Sequence, residues 1–188
     1  MFIQTEVTPN PESLKFIPGV NISNAPMNFL NSSEASNSPL AQKLFAIKEV
    51  KSIFLGYDFI TITKDEDAKW ELIKAEILVT IMDFLVSGGE AVIKAKPEAQ
   101  SQDILEKPTT PEDKIVEEIR EIIETRVRPS VMQDGGDIVF HEFKDGIVKV
   151  KLHGACSGCP SSTVTLKNGI ENMLKYYVPE VISVEAVD

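Results

Sequence analysis

The chain has 188 residues, 43% of them hydrophobic, which is enough for one or two small domains that each bury a core. A formal charge of −10 with no Lys/Arg-rich stretch removes the attraction on which phosphate-backbone binding depends, so no nucleic-acid partner is expected. The longest apolar run, residues 77–86, contains Asp83 and is far shorter than the roughly 20 residues that cross a bilayer; it reads as a buried helix, and no membrane partner is expected.

Met1-Phe2-Ile3-Gln4-Thr5-Glu6-Val7 offers no basic region, no apolar signal segment and no Arg-rich amphipathic helix. The expectation is a cytoplasmic chain of bacterial type, or a mitochondrial matrix protein in processed form. Residues 1–7 and 14–17 are short strand candidates, and the Asn/Ser-rich residues 21–38 read as a long loop. Residues 40–47 follow as a short helix, 52–55 and 59–63 as a hairpin turned at Gly56-Tyr57-Asp58, and 70–86 as a long amphipathic helix. Residues 1–96 contain no Cys and neither His of the chain, so they read as an adaptor or interaction domain without a metal site. Pro97, Pro108 and Pro111 then mark residues 97–111 as a linker.

Residues 112–188 form the second domain. Thr110 is a candidate N-cap, Pro111 suits the first helical position, and Glu112 and Asp113 sit where the helix dipole favours acids. Ile115, Val116, Ile119, Ile122 and Ile123 recur at helical spacing, and Pro129 is expected to stop the run. The turn Met132-Gln133-Asp134-Gly135-Gly136-Asp137 leads to a strand at 138–143, and Asp145-Gly146 is a tight hairpin turn into a second strand at 147–152. Val164, Ile170, Met173, Leu174 and Tyr177 mark a helix bounded by Pro179, with Tyr176 and Tyr177 expected in the core; residues 181–187 alternate as a last strand. The fold class is α+β: two small α/β domains joined by a Pro-rich linker, the second in the order α-β-β-α-β.

The two cysteines of the chain, Cys156 and Cys159, stand on one turn, Gly154-Ala155-Cys156-Ser157-Gly158-Cys159-Pro160. Two thiolates three positions apart chelate a soft metal or form a redox pair, but they cannot complete an all-thiolate tetrahedron or hold a four-iron cluster alone. Gly154 and Gly158 allow the backbone to fold closely around a metal, and placement before a helix N-terminus is expected to lower the thiol pKa. Several readings stay open from the residues themselves. The thiols could be small buried side chains with no chemistry, or a thioredoxin-like dithiol, although the glycine-proline interior of such motifs is absent. They could also be half of a zinc site completed by His153 and His141. The last reading is a metal group whose missing ligands come from elsewhere.

Met132-Gln133-Asp134-Gly135-Gly136-Asp137, Gly154-Ala155-Cys156-Ser157-Gly158-Cys159-Pro160-Ser161-Ser162 and Thr165-Leu166-Lys167-Asn168-Gly169-Ile170-Glu171 together resemble the C-terminal domain of NifU-like (Nfu-type) iron-sulfur proteins. Residues 1 to about 88, with Thr8-Pro9-Asn10-Pro11, Ser38-Pro39-Leu40-Ala41 and Phe59-Ile60-Thr61-Ile62-Thr63, resemble the N-terminal domain that accompanies it. The extra cysteine-bearing domains of the full-length nitrogen-fixation scaffold have no counterpart here, which implies the short, carrier-type relative. The resemblance implies an iron-sulfur cluster scaffold or carrier rather than an enzyme, with Cys156 and Cys159 as metal and cluster ligands. A 4Fe-4S cluster takes about four thiolates and each chain brings two, so the simplest complete site is a homodimer bridged by the cluster, with a 2Fe-2S form as the variant. Acceptor apo iron-sulfur proteins and upstream cluster-assembly proteins are the implied partners. The rival functions are a thiol-disulfide oxidoreductase using the same pair and a zinc-stabilised interaction module. Asp134, Gly135, Gly136 and Asp137 are expected to serve as a helix-to-strand turn, not as ligands.

Overall fold

The computed structural model describes residues 2–92, 111–157 and 160–187, and the chain divides into two compact units, Met1–Lys96 and Pro97–Asp188. Residues 97–110, which hold Thr110 and nearly all of the expected linker, lie outside the described residues, as do Gly158 and Cys159.

Alternating apolar residues build the sheet of the first unit. Its strands are β1 (Gln4–Val7), β2 (Ser13–Ile17), β3 (Met27–Phe29), β4 (Val50–Leu55) and β5 (Ile60–Lys64), in the order β1-β2-β5-β4-β3 with every neighbouring pair antiparallel. Register places Phe29, Ile53, Ile62 and Leu14 in one row across the sheet, and Met27, Leu55, Ile60 and Phe16 in the next row on the same face. These rows share a core with Leu40 and Leu44 of α1 (Pro39–Phe45) and with Ile73, Ile77, Ile81 and Phe84 of α2 (Trp70–Val86).

Residues 21–38 are not one loop: they contain β3 and a 3-10 turn, Glu34–Asn37. A three-residue edge strand is too short to carry a periodic signal. Ser38 caps α1 by accepting from the Ala41 N–H at 3.2 Å while its hydroxyl donates to the Ala91 carbonyl at 2.6 Å, tying the start of α1 to the segment after α2. The Thr8-Pro9-Asn10-Pro11 segment is a hydrogen-bonded turn: the Thr8 hydroxyl donates to the Asn10 carbonyl at 2.8 Å, and the Trp70 indole N–H donates to the Pro11 carbonyl at 3.1 Å. The helix expected to be buried over residues 77–86 is buried along one side alone, because Val79 and Val86 are exposed.

The second unit begins with α3 (Pro111–Ile122), which runs through a π-helical turn (Ile123–Val127) into α4 (Arg128–Gln133). Pro129 therefore does not stop the helix. The Arg128 N–H donates to the Ile123 carbonyl five residues back, and this wide turn accommodates a proline that cannot donate and whose ring crowds the preceding turn. β6 (Gly136–Lys144), β7 (Ile147–Gly154) and β8 (Ser183–Val187) form a sheet in that order, with β6 and β7 antiparallel and β7 and β8 parallel. Asp145 and Gly146 both have positive φ, 52° and 79°, as a two-residue hairpin turn requires. The parallel pair needs a crossover, and α5 (Pro160–Tyr177) supplies it.

Ile119, Ile123, Val127 and Val131 of the long helix pack with Ile138, Val148, Val150, Leu174, Val178 and Val184. Tyr176 and Tyr177 are exposed, not core. The buried stripe at this end of α5 is Ile170, Leu174 and Val178, at helical spacing, and Tyr177 instead carries the Arg126 guanidinium 4.7 Å from its ring centre. Among the described residues no helix is long and apolar enough to cross a membrane.

Candidate metal centre

β7 ends at Gly154, whose φ of 63° turns the chain away from the sheet and into Ala155, Cys156 and Ser157. The turn is tied to the start of β6. Gly154 lies opposite Gly136 in the ladder, the Ala155 N–H donates to the Gly135 carbonyl at 3.2 Å, and the Ser157 N–H closes back on the Gly154 carbonyl at 3.1 Å. Two glycine-bearing segments distant in sequence thus meet at the cysteine turn. Gly135 has φ of 82°, as the sharp exit from α4 requires. Gly136 is demanded by close approach: a Cβ there would stand 2.6 Å from Cys156 Sγ and 2.8 Å from the His153 carbonyl oxygen. The Asp134 to Asp137 segment is therefore a helix-to-strand turn and also the wall against which Cys156 rests.

Cys156 is 6% exposed and belongs to the core of the second unit. Burial pushes its thiol up to about 12, and the carboxylates of Asp134 and Asp137 push in the same direction. At Cys156 burial in the apolar core and two nearby acids act against the lowering expected from a helix N-terminus. Cys159 lies outside the described residues.

Asp137 is 1% exposed and is the buried charge behind the turn. Arg128 grips it in a two-pronged pair, Nε to Oδ1 at 2.7 Å and Nη2 to Oδ2 at 2.9 Å, while the Ile138 N–H donates to Oδ1 at 2.8 Å. Nη1 of Arg128 also reaches both carboxylate oxygens of Glu124, at 3.0 and 2.8 Å. The first of these bonds, to Asp137, dominates in holding the guanidinium charged, raising its pKa. Sequence reasoning missed this pair. Asp137 beside two glycines reads as turn chemistry, and nothing in Arg128-Pro129 marks the arginine as a partner of an acid nine residues on.

The two histidines do not converge. His153 is the ladder partner of Asp137, half-buried, and its pKa is lowered chiefly by burial, with Asp137 opposing. His141 is exposed at the bulge of β6, four residues beyond Asp137, which is roughly 13 Å along the strand. Among the described residues no group of three or more His, Cys, Asp or Glu side chains comes together to hold a metal ion. An open depression of about 650 Å³ lies in the first unit and includes Leu72, Ile73 and Asp65 in its lining.

Two family models match in sequence order. Residues 3–88 match the model described as "Scaffold protein Nfu/NifU N terminal", and residues 119–185 match the one described as "NifU-like domain". A protein of Drosophila sechellia named "NFU1 iron-sulfur cluster scaffold homolog, mitochondrial" is 52% identical over 189 residues, covering 100% of this chain and 65% of that protein. One of the same name from Drosophila virilis is 52% identical, covering 100% of this chain and 62% of its own length. The chain thus spans somewhat less than two thirds of these relatives. The solution NMR structure of a NifU-like protein from Saccharomyces cerevisiae is 31% identical over 50% of this chain and 87% of that one, at a TM-score of 0.46. Both halves match in register and the likeness runs the full length of the chain: it belongs to the NifU-like, Nfu-type family.

Proposed function

We propose that this chain is an iron-sulfur cluster scaffold and carrier that holds a 4Fe-4S cargo between two copies through Cys156 and Cys159 and hands it to acceptor apoproteins. One observation carries the reading: the two cysteines of the chain stand three positions apart in the sequence inside the NifU-like match, half of the thiolates such a cargo needs. A two-fold pair of chains supplies the other half with the same residues. The names of the Drosophila relatives support the scaffold role, and their mitochondrial designation favours the matrix over a bacterial cytoplasm.

The local chemistry fits a soft-metal cargo. Gly136 leaves the volume next to Sγ free of a side chain, so the thiol can turn without displacing a Cβ. Metal binding must displace the Cys156 proton, so loading is coupled to pH and to withdrawal of the thiol from the core. Release follows by ligand exchange, an acceptor's thiolates replacing those of the carrier. The burial of Cys156 weighs against the oxidoreductase reading, since a dithiol nucleophile must be accessible to its substrate. The separation of the two histidines gives a zinc module no third and fourth ligand among the described residues.

The test is anaerobic reconstitution of the full chain, with iron, sulfide and mass measured before and after. The expected product is a brown dimer with roughly two irons per chain. A loaded monomer, or a colourless protein that reduces disulfides, would overturn the proposal.

A further inference from the structure

α2 places Ile73, Ile77, Ile81 and Phe84 in the core of the first unit, and its opposite side is not polar. Leu72 is 76% exposed, Val79 54% and Val86 71%. Leu72, Val79 and Val86 recur every seven residues with exposed Ala75 beside them, the repeat of paired helices, while half-buried Met82 packs against the core. Isolated surface apolar residues need no explanation, but a line of them at heptad spacing along a whole helix does. One edge of this seam is lined by Glu76 and Asp83, and Glu71 begins the other edge; all three are exposed. Among the described residues no cation pairs with Glu76 or Asp83. The helix's own lysine, Lys74, is half-buried.

We propose that this face of α2 is a docking surface for a partner protein's amphipathic helix whose apolar stripe is flanked by lysine or arginine. The acidic edge selects the partner's charge, and the seam spacing selects a helix. A second copy of the chain is a poor occupant. Paired antiparallel, Glu76 would face Asp83 of the other copy, and paired parallel, Glu71 would face Glu76, like charges in each case. The inference stands independently of the cluster chemistry, since it uses residues of the first unit alone.

The test uses the full chain and a synthetic three-heptad helical peptide with Leu and Ala at seam positions and Lys beside them, set against a copy carrying Glu in place of Lys. Binding is read by anisotropy of the labelled peptide and by fluorescence of Trp70, the single tryptophan, at the first residue of α2. The Lys peptide should bind saturably and weaken as salt rises from about 0.1 to about 1 M. Val79→Glu should weaken it at least about tenfold. The double change Glu76→Lys with Asp83→Lys keeps every apolar residue and should reverse the preference toward the Glu peptide; thermal unfolding of both variants confirms that they fold. Equal affinity for the two peptides, no saturable binding, or insensitivity to both variants would overturn the proposal. A concentration-dependent mass doubling of the cluster-free chain that Val79→Glu abolishes would do the same, by making a second copy the occupant.

Discussion

The two units of this chain treat their interiors differently. The first fills its core with Phe16, Ile53, Ile62, Ile77 and their neighbours, none of which can react, and ties its turns with ordinary hydrogen bonds such as those of Thr8 and Ser38. The second places a thiol among its valines and isoleucines and stands a fully buried carboxylate behind it, neutralised by one arginine. The first unit buries two charges, Lys15 and Lys64, in ion pairs with Glu6 and Glu12, whereas the second gives part of its apolar core to a thiol. The difference teaches where perturbation should register: packing defects in the first unit should cost stability and spare the chemistry, whereas defects in the second should cost both.

The largest effect expected from breaking this contrast is that of Phe16→Ala, fully buried between β2 and the helices, which should lose about 3–5 kcal/mol in urea unfolding. The iron bound per folded chain should not change. Asp137→Ala removes the carboxylate from a pair whose arginine is 23% exposed, so the loss should sit at the low end of about 3–5 kcal/mol. Unlike the first variant, it should also lower cluster loading, because the strand end that backs the cysteine turn is no longer fixed. Gly136→Ala adds a methyl against Cys156 Sγ and the His153 backbone, an overpacking worth about 1–3 kcal/mol, with a disproportionate loss of bound iron at equal folded fraction. Loading that follows stability alone in all three variants would erase the distinction between the units.

The smallest effect is in pH. A thiol held at about 12 when folded, against 9.0 ordinarily, binds its proton more tightly in the native state. Its contribution to stability is thus complete below pH 9.0 and is lost as pH rises toward about 12. In Cys159→Ser, alkylation of the remaining thiol should keep accelerating across that window instead of levelling off near pH 9.0. A rate plateau at pH 9.0 would place Cys156 outside the core.

Much of this architecture can be read from the chain before folding. α2 spans Trp70–Val86, the bounds its apolar run predicts, but it is not the amphipathic helix expected, because Leu72, Val79 and Val86 make its outer side apolar as well; Asp145-Gly146 announces its own turn. Local rules fail where tertiary structure overrides them. Pro129 reads as a stop, yet a π turn carries the helix past it, and Tyr176-Tyr177 reads as core although Leu174 and Val178 already fill that side of α5. At the site, the cysteine spacing was visible but the support was not. The Arg128–Asp137 pair and the contact of Gly136 with Cys156 depend on a helix end and two strand ends meeting in space, which no spacing encodes.

The burial of Cys156 has a consequence for the chain while no metal is bound to it. A thiolate attacks peroxide and disulfides such as oxidised glutathione, and it does so where water can reach it. A sulfur kept protonated beneath a turn and walled by a glycine ages slowly while idle.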